Sequence, residues 1–70
     1  MSIISVRAES LAEEGPFFVE DYMKAYPETN RSNLTRELKM MADRGDLHRE
    51  MAQLHNLPRY KYSLPGRVPQ

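Results

Sequence analysis

Cysteine is absent from the chain, so neither a disulfide framework nor a thiolate metal site can staple it, and packing alone must hold it. Long apolar runs are absent too. The longest, Pro16-Phe17-Phe18-Val19, is far too short to span a bilayer, and residues 1–6 lack the basic start and long apolar centre of a signal peptide. A cytoplasmic address without a membrane partner is the expectation. Catalytic patterns are equally missing: there is no Ser-His-Asp order, no glycine-rich phosphate cradle, and no carboxylate pair isolated among apolar residues. No enzymatic activity, catalytic residue, cofactor or small-molecule ligand is therefore expected. His48 and Glu50 stand one strand step apart, but His55 falls on a loop and a fourth ligand is lacking, which argues against a metal site.

Net charge is the last absence, with ten basic residues against ten acidic ones, a balance that by itself argues against a polyanionic partner. The distribution says otherwise. Residues 1–28 hold two basic and six acidic side chains, whereas residues 29–70 hold eight basic and four acidic. The two halves thus carry −4 and +4, an asymmetry that hints at one nucleic-acid-facing side.

What is present fits one small domain of 70 residues, too short for a second core or an attached sensing domain. Hydrophobic residues make up 40%, and a mean hydropathy of −0.71 with five prolines points to a thin core under a wet surface. Ile4, Ala8 and Leu11 recur at helical spacing, which predicts a first helix over 4–13 that Gly15-Pro16 stops. Phe17-Phe18 reads as a short apolar step, too brief for a full strand. Val19, Tyr22, Met23 and Tyr26 form one apolar face of a second helix over 19–26, with Glu20 and Asp21 in the first turn where the macrodipole favours acids. Pro27 ends it.

Thr29 or Asn30 is the candidate N-cap of a third helix over 31–44. Its buried stripe is Leu34, Leu38 and Met41, and Gly45 supplies the left-handed cap. Beyond Gly45 the period drops to two, predicting strands at 47–52 and 59–64 around a long loop from Ala52 to Arg59, with Leu54 and Leu57 folding back over the core. Residues 65–70 read as a disordered tail after a domain at 1–64. The predicted core is Ile4, Leu11, Phe18, Val19, Met23, Leu34, Leu38, Met41, Leu47 and Tyr62, and all four tyrosines, including Tyr60, read as core residues.

This order of elements, with SNLTRELKMMADRGDLHR at 32–49, GPFFVEDY at 15–22 and PRYKYSL at 58–64, resembles the winged helix-turn-helix superfamily, in its small phage, plasmid or operon regulator form. The resemblance covers roughly residues 3–64 and rests on order and spacing. It implies a mainly α fold with a small β-hairpin (α+β): three helices plus a two-stranded wing. Family members commonly carry two apolar residues after the glycine. Here Asp46 precedes Leu47, which predicts a loosely anchored entry to the wing.

By the same resemblance the third helix would enter the major groove of double-stranded DNA. Its exposed N-terminal residues Arg31, Ser32, Asn33, Thr35 and Arg36 would then reach base edges. Arg36 suits guanine and Asn33 adenine. Lys39 would lie near the backbone, and Arg49, Arg59 and Lys61 would bring the wing onto phosphates or into the minor groove. A duplex binder should gather the positive half on one continuous face, with Glu13, Glu14, Glu20 and Asp21 mostly behind it. The implied function is a sequence-specific transcriptional regulator acting as a homodimer or with a partner regulatory protein. The alternative is a winged helix used only as a protein-protein interaction module, which the zero net charge and acidic first half keep open.

Overall fold

Ser2 caps the first helix, α1 (Ile3–Glu14), by accepting a hydrogen bond from the Ser5 amide at 3.2 Å, and Gly15 ends it. The chain then forms β1 (Phe17–Phe18), α2 (Val19–Ala25), α3 (Arg31–Arg44), β2 (His48–Leu54) and β3 (Leu57–Ser63), followed by a 3-10 turn at Pro65–Arg67. This computed structural model describes residues 2–67; the remainder of the expected tail, residues 68–70, lies outside the described residues. All three predicted helices are present within a residue or so of their expected bounds.

Asn30, not Thr29, is the N-cap of α3, its side chain accepting from the Asn33 amide at 3.0 Å. Gly45 closes the helix at φ 87°, a conformation that costs an achiral residue little. The entry to the wing is firmer than Asp46 predicts. The amides of Asp46 and Leu47 both donate to the Met41 carbonyl, at 2.8 and 3.3 Å, and Arg44 holds the Asp46 carboxylate at 3.1 Å. Leu47 is consequently buried.

The wing differs from expectation in two ways. First, Phe17-Phe18 is a strand: it pairs antiparallel with β3, Phe17 opposite Tyr62 and Phe18 opposite Lys61, so the sheet has three strands in the order β1-β3-β2. Two residues suffice because the partner strand supplies the template. Second, the long loop does not exist. β2 and β3 pair down to Leu54 opposite Leu57, leaving only His55-Asn56 as the turn, at φ 52° and 64°. Two successive positive φ values are those of the tight hairpin turn whose twist matches the strands, and Asn tolerates that region better than most residues. Pro58, opposite Gln53, does not break the ladder. With Leu54 and Leu57 closing the turn as a hydrogen-bonded pair, the alternation of antiparallel pairs leaves Pro58 at a position that need donate nothing to β2. Leu57 is therefore half exposed at the wing tip, and neither it nor Leu54 covers the core.

The core consists of Ala8, Ala12, Phe17, Tyr22, Leu34, Leu38, Met41, Leu47 and Tyr62. Ile4, Leu11, Val19 and Met23 pack around its border as half-buried residues, not at its centre. The two phenylalanines exchange their expected roles, because the strand alternates faces: Phe17 turns inward against Tyr62, ring centroids 5.8 Å apart, and Phe18 lies on the other face under the Lys61 ammonium. Tyr60 likewise is not core; it is exposed, with the Arg49 guanidinium 4.4 Å over its ring.

Candidate nucleic-acid interface

The buried stripe of α3 faces α1 and α2, so helical geometry turns the intervening positions outward. Arg31, Ser32, Thr35, Arg36 and Lys39 line one shallow groove along that outer side. These are four of the five predicted base-reading residues and the predicted backbone residue Lys39. Asn33 lies round the helix toward α1, where it lines a separate depression with Ile4, Arg7 and Tyr22. It is drawn back to the groove by Arg36, whose Nη2 donates to Asn33 Oδ1 at 2.7 Å. The Thr35 hydroxyl donates to the Arg31 carbonyl at 3.0 Å, so in the free protein only its acceptor capacity faces outward.

Between α3 and the wing runs a cleft of about 230 Å³, lined chiefly by Val19, Arg31, Thr35, Met51, Arg59 and Tyr60. The wing cations are all engaged within the chain. Arg49 stacks on Tyr60, Lys61 stands 5.9 Å from the Phe18 ring centre, and Arg59 Nη1 donates to the Pro58 carbonyl at 2.9 Å. Beneath them burial holds the Tyr62 hydroxyl above its ordinary value of 10.0, with the Arg49 guanidinium pulling the other way.

The expectation that Glu20 stands behind the basic face fails. Its Oε2 lies 3.7 Å from both Arg31 and Arg59, squarely between helix and wing, and its Oε1 is buried with no hydrogen-bond partner among the described residues. In sequence Glu20 reads as a first-turn acid of α2. Its true neighbours follow from where β1 hands over to α2: the pairing of Phe17 with Tyr62 and Phe18 with Lys61 sets the start of α2 beside β3, and the first turn of α2 carries Glu20 to Arg59. Asp21 does what a first-turn acid does, accepting from the Phe18 amide at 2.9 Å. Val19, Met51, Pro58, Tyr60 and Tyr62 also line the cleft and are absent from the predicted site; the pairing of Met51 with Tyr60 across the hairpin places those two together on the face toward α3.

On the opposite side of α3, Glu37 accepts from the hydroxyls of Ser2 and Ser5 at 2.9 and 3.0 Å, tying α1 to α3. That removes one α3 carboxylate from the groove. Among the described residues no three His, Asp or Glu side chains gather as a metal-binding set, and no helix is long and apolar enough to cross a membrane.

The arrangement is similar to two solved structures. The crystal structure of Bacillus subtilis PadR in complex with operator DNA matches at a TM-score of 0.80 and 18% identity, over 90% of this chain and 40% of that one. The redox regulator HypR in its reduced form matches at a TM-score of 0.71 and 23% identity, over 81% of this chain and 55% of that one. The chain thus spans about half or less of the length of either protein. No family model matches it, and no curated protein matches it in sequence. At these identities the likeness is one of architecture: three helices with an antiparallel three-stranded sheet, the winged-helix fold.

Proposed function

We propose that the chain is a small transcriptional regulator that binds double-stranded DNA, with α3 in the major groove and the β2–β3 wing on the backbone. The observation that carries this reading is the continuous outer groove of α3, where Arg31, Ser32, Thr35, Arg36 and Lys39 stand together beside the wing cleft. A polar, cationic helix face of this kind offers base-edge donors from Arg36 and phosphate ligands from Lys39 and the wing. The winged-helix neighbour solved with operator DNA supports the same reading. Ser32, Asn33, Thr35 and Arg36 take the base-reading role, Lys39, Arg49, Arg59 and Lys61 the positioning role, and Arg31, expected from the sequence at a base edge, joins Arg59 in positioning because the two share one anion site.

With formal net charge zero, a lone protomer gains little from long-range attraction, so stable occupancy calls for a homodimer or a partner regulatory protein on the DNA. The reading includes no enzymatic step, and a cytoplasmic address accords with it. One observation favours the alternative, a protein-protein interaction module: Glu20 offsets two of the arginines at the face. Fluorescence titration of a labelled mixed-sequence duplex at two salt concentrations separates the two. Binding that weakens steeply with salt supports the regulator, and absent or salt-independent binding supports the interaction module.

A further inference from the structure

Glu20 is placed where an acid is hard to justify by stability. Its ion pairs with Arg31 and Arg59 are long, at 3.7 Å, and the three side chains are 38%, 57% and 41% exposed, so solvent screens them. Its second oxygen is buried without a partner, which costs desolvation and returns nothing to the fold. Yet the carboxylate bridges the first residue of α3 and the first cation of β3, the two elements that must straddle one stretch of DNA backbone if helix and wing bind together.

We infer that Glu20 is an internal phosphate mimic: in the free protein its carboxylate occupies the position, between Arg31 and Arg59, that a DNA backbone phosphate takes in the complex. The inference rests on the duplex-binding reading above. A phosphate presents the same ligand chemistry as the carboxylate, anionic oxygens that accept from guanidinium N–H groups. On binding, Arg31 and Arg59 exchange one anion for the other, and the displaced carboxylate remains as a like charge beside the backbone. Glu20 therefore lowers affinity for any duplex by about one phosphate's worth of counterion release and leaves sequence preference to α3.

The test measures a labelled random duplex and a selected cognate duplex, across a salt series, with wild type, Glu20→Gln, Arg31→Ala, Arg59→Ala and the two Glu20→Gln/Arg→Ala pairs. Glu9→Gln, on the exposed side of α1, controls for the simple loss of a negative charge. Glu20→Gln should tighten both duplexes about eightfold at 0.1 M salt and steepen the log–log salt slope by about 0.9. The gain should disappear in either arginine background, and Glu9→Gln should give much less of it. Wild type that binds with Glu20→Gln unchanged or weaker overturns the mimic alone, as does an equal gain from Glu9→Gln. If neither wild type nor Glu20→Gln binds duplex at low salt, with both folded by circular dichroism, the duplex-binding reading falls and takes the mimic with it.

Discussion

Arg36 and Asn33 are joined across one turn of α3 by a 2.7 Å hydrogen bond from the guanidinium to the amide oxygen. The bond ties the Arg36 fork to Asn33 at the groove's α1 side, so two side chains suited to different bases are coupled to one another.

This coupling predicts non-additive losses. Arg36→Ala and Asn33→Ala should each cost about 1–3 kcal/mol on a cognate duplex, with little change on random DNA. The double variant should lose less than the two together, by about 0.5–3 kcal/mol, because either single change already frees the other side chain. Competition binding on cognate and scrambled duplexes measures all four corners of the cycle. Additive losses would mean that the two residues act separately.

The wing should behave differently from the helix. Lys61→Ala should weaken cognate and random duplexes about equally and flatten the salt slope by about 0.9, the signature of a phosphate contact. A loss confined to the cognate site would make Lys61 a base contact instead.

Stability should be most sensitive along the α3 stripe. Leu38 is fully buried, and Leu38→Ala should cost about 2–5 kcal/mol. That is a large share of the roughly 4–10 kcal/mol that a domain of this size holds. Thermal unfolding followed by circular dichroism reads the loss, and an unchanged midpoint would contradict the observed burial.

Glu37 should make the α1–α3 contact acid-sensitive. Hydrogen bonds from Ser2, then Ser5, favour its ionised form and hold its pKa below the ordinary 4.5. A depressed folded-state pKa contributes stability that is complete above the unfolded value and is lost as pH falls through the folded one. Wild type should therefore melt above Glu37→Gln at neutral pH, and the two midpoints should converge as pH falls below the ordinary 4.5 and through the depressed folded-state value. Midpoints that stay parallel across that range would show that the serine contacts do not discriminate between the two protonation states.

The local signals were strong where one element's periodicity sufficed. Leu34, Leu38 and Met41 at helical spacing mark the buried stripe of α3. The polar residues before Arg31 mark its start and Gly45 marks its end, because capping and helical period are settled within a few residues of chain. The same holds for the outward position of Arg31, Ser32, Thr35, Arg36 and Lys39, which follows once the stripe is known. The buried face of α1 was harder to read. It is built from Ser5, Ala8 and Ala12, small residues that give a weak hydrophobic pattern, while the bulkier Ile4 and Leu11 stay at its border.

Tertiary structure alone decided everything that depends on strand pairing. A two-residue segment carries too little pattern to declare itself a strand, so β1 exists because β3 offers a template, and that pairing chooses Phe17 over Phe18 for the core. The tight turn at His55-Asn56 likewise needs the whole β2–β3 ladder to hold two positive φ values in place. The pairing of β1 with β3 also sets the start of α2 beside β3, and so brings Glu20 against Arg59 and Arg31. Sequence determined which residues α3 shows to a partner. The non-local pairing of β1 with β3 determined which charge stands among them, because residues about 40 positions apart become neighbours only when the sheet closes.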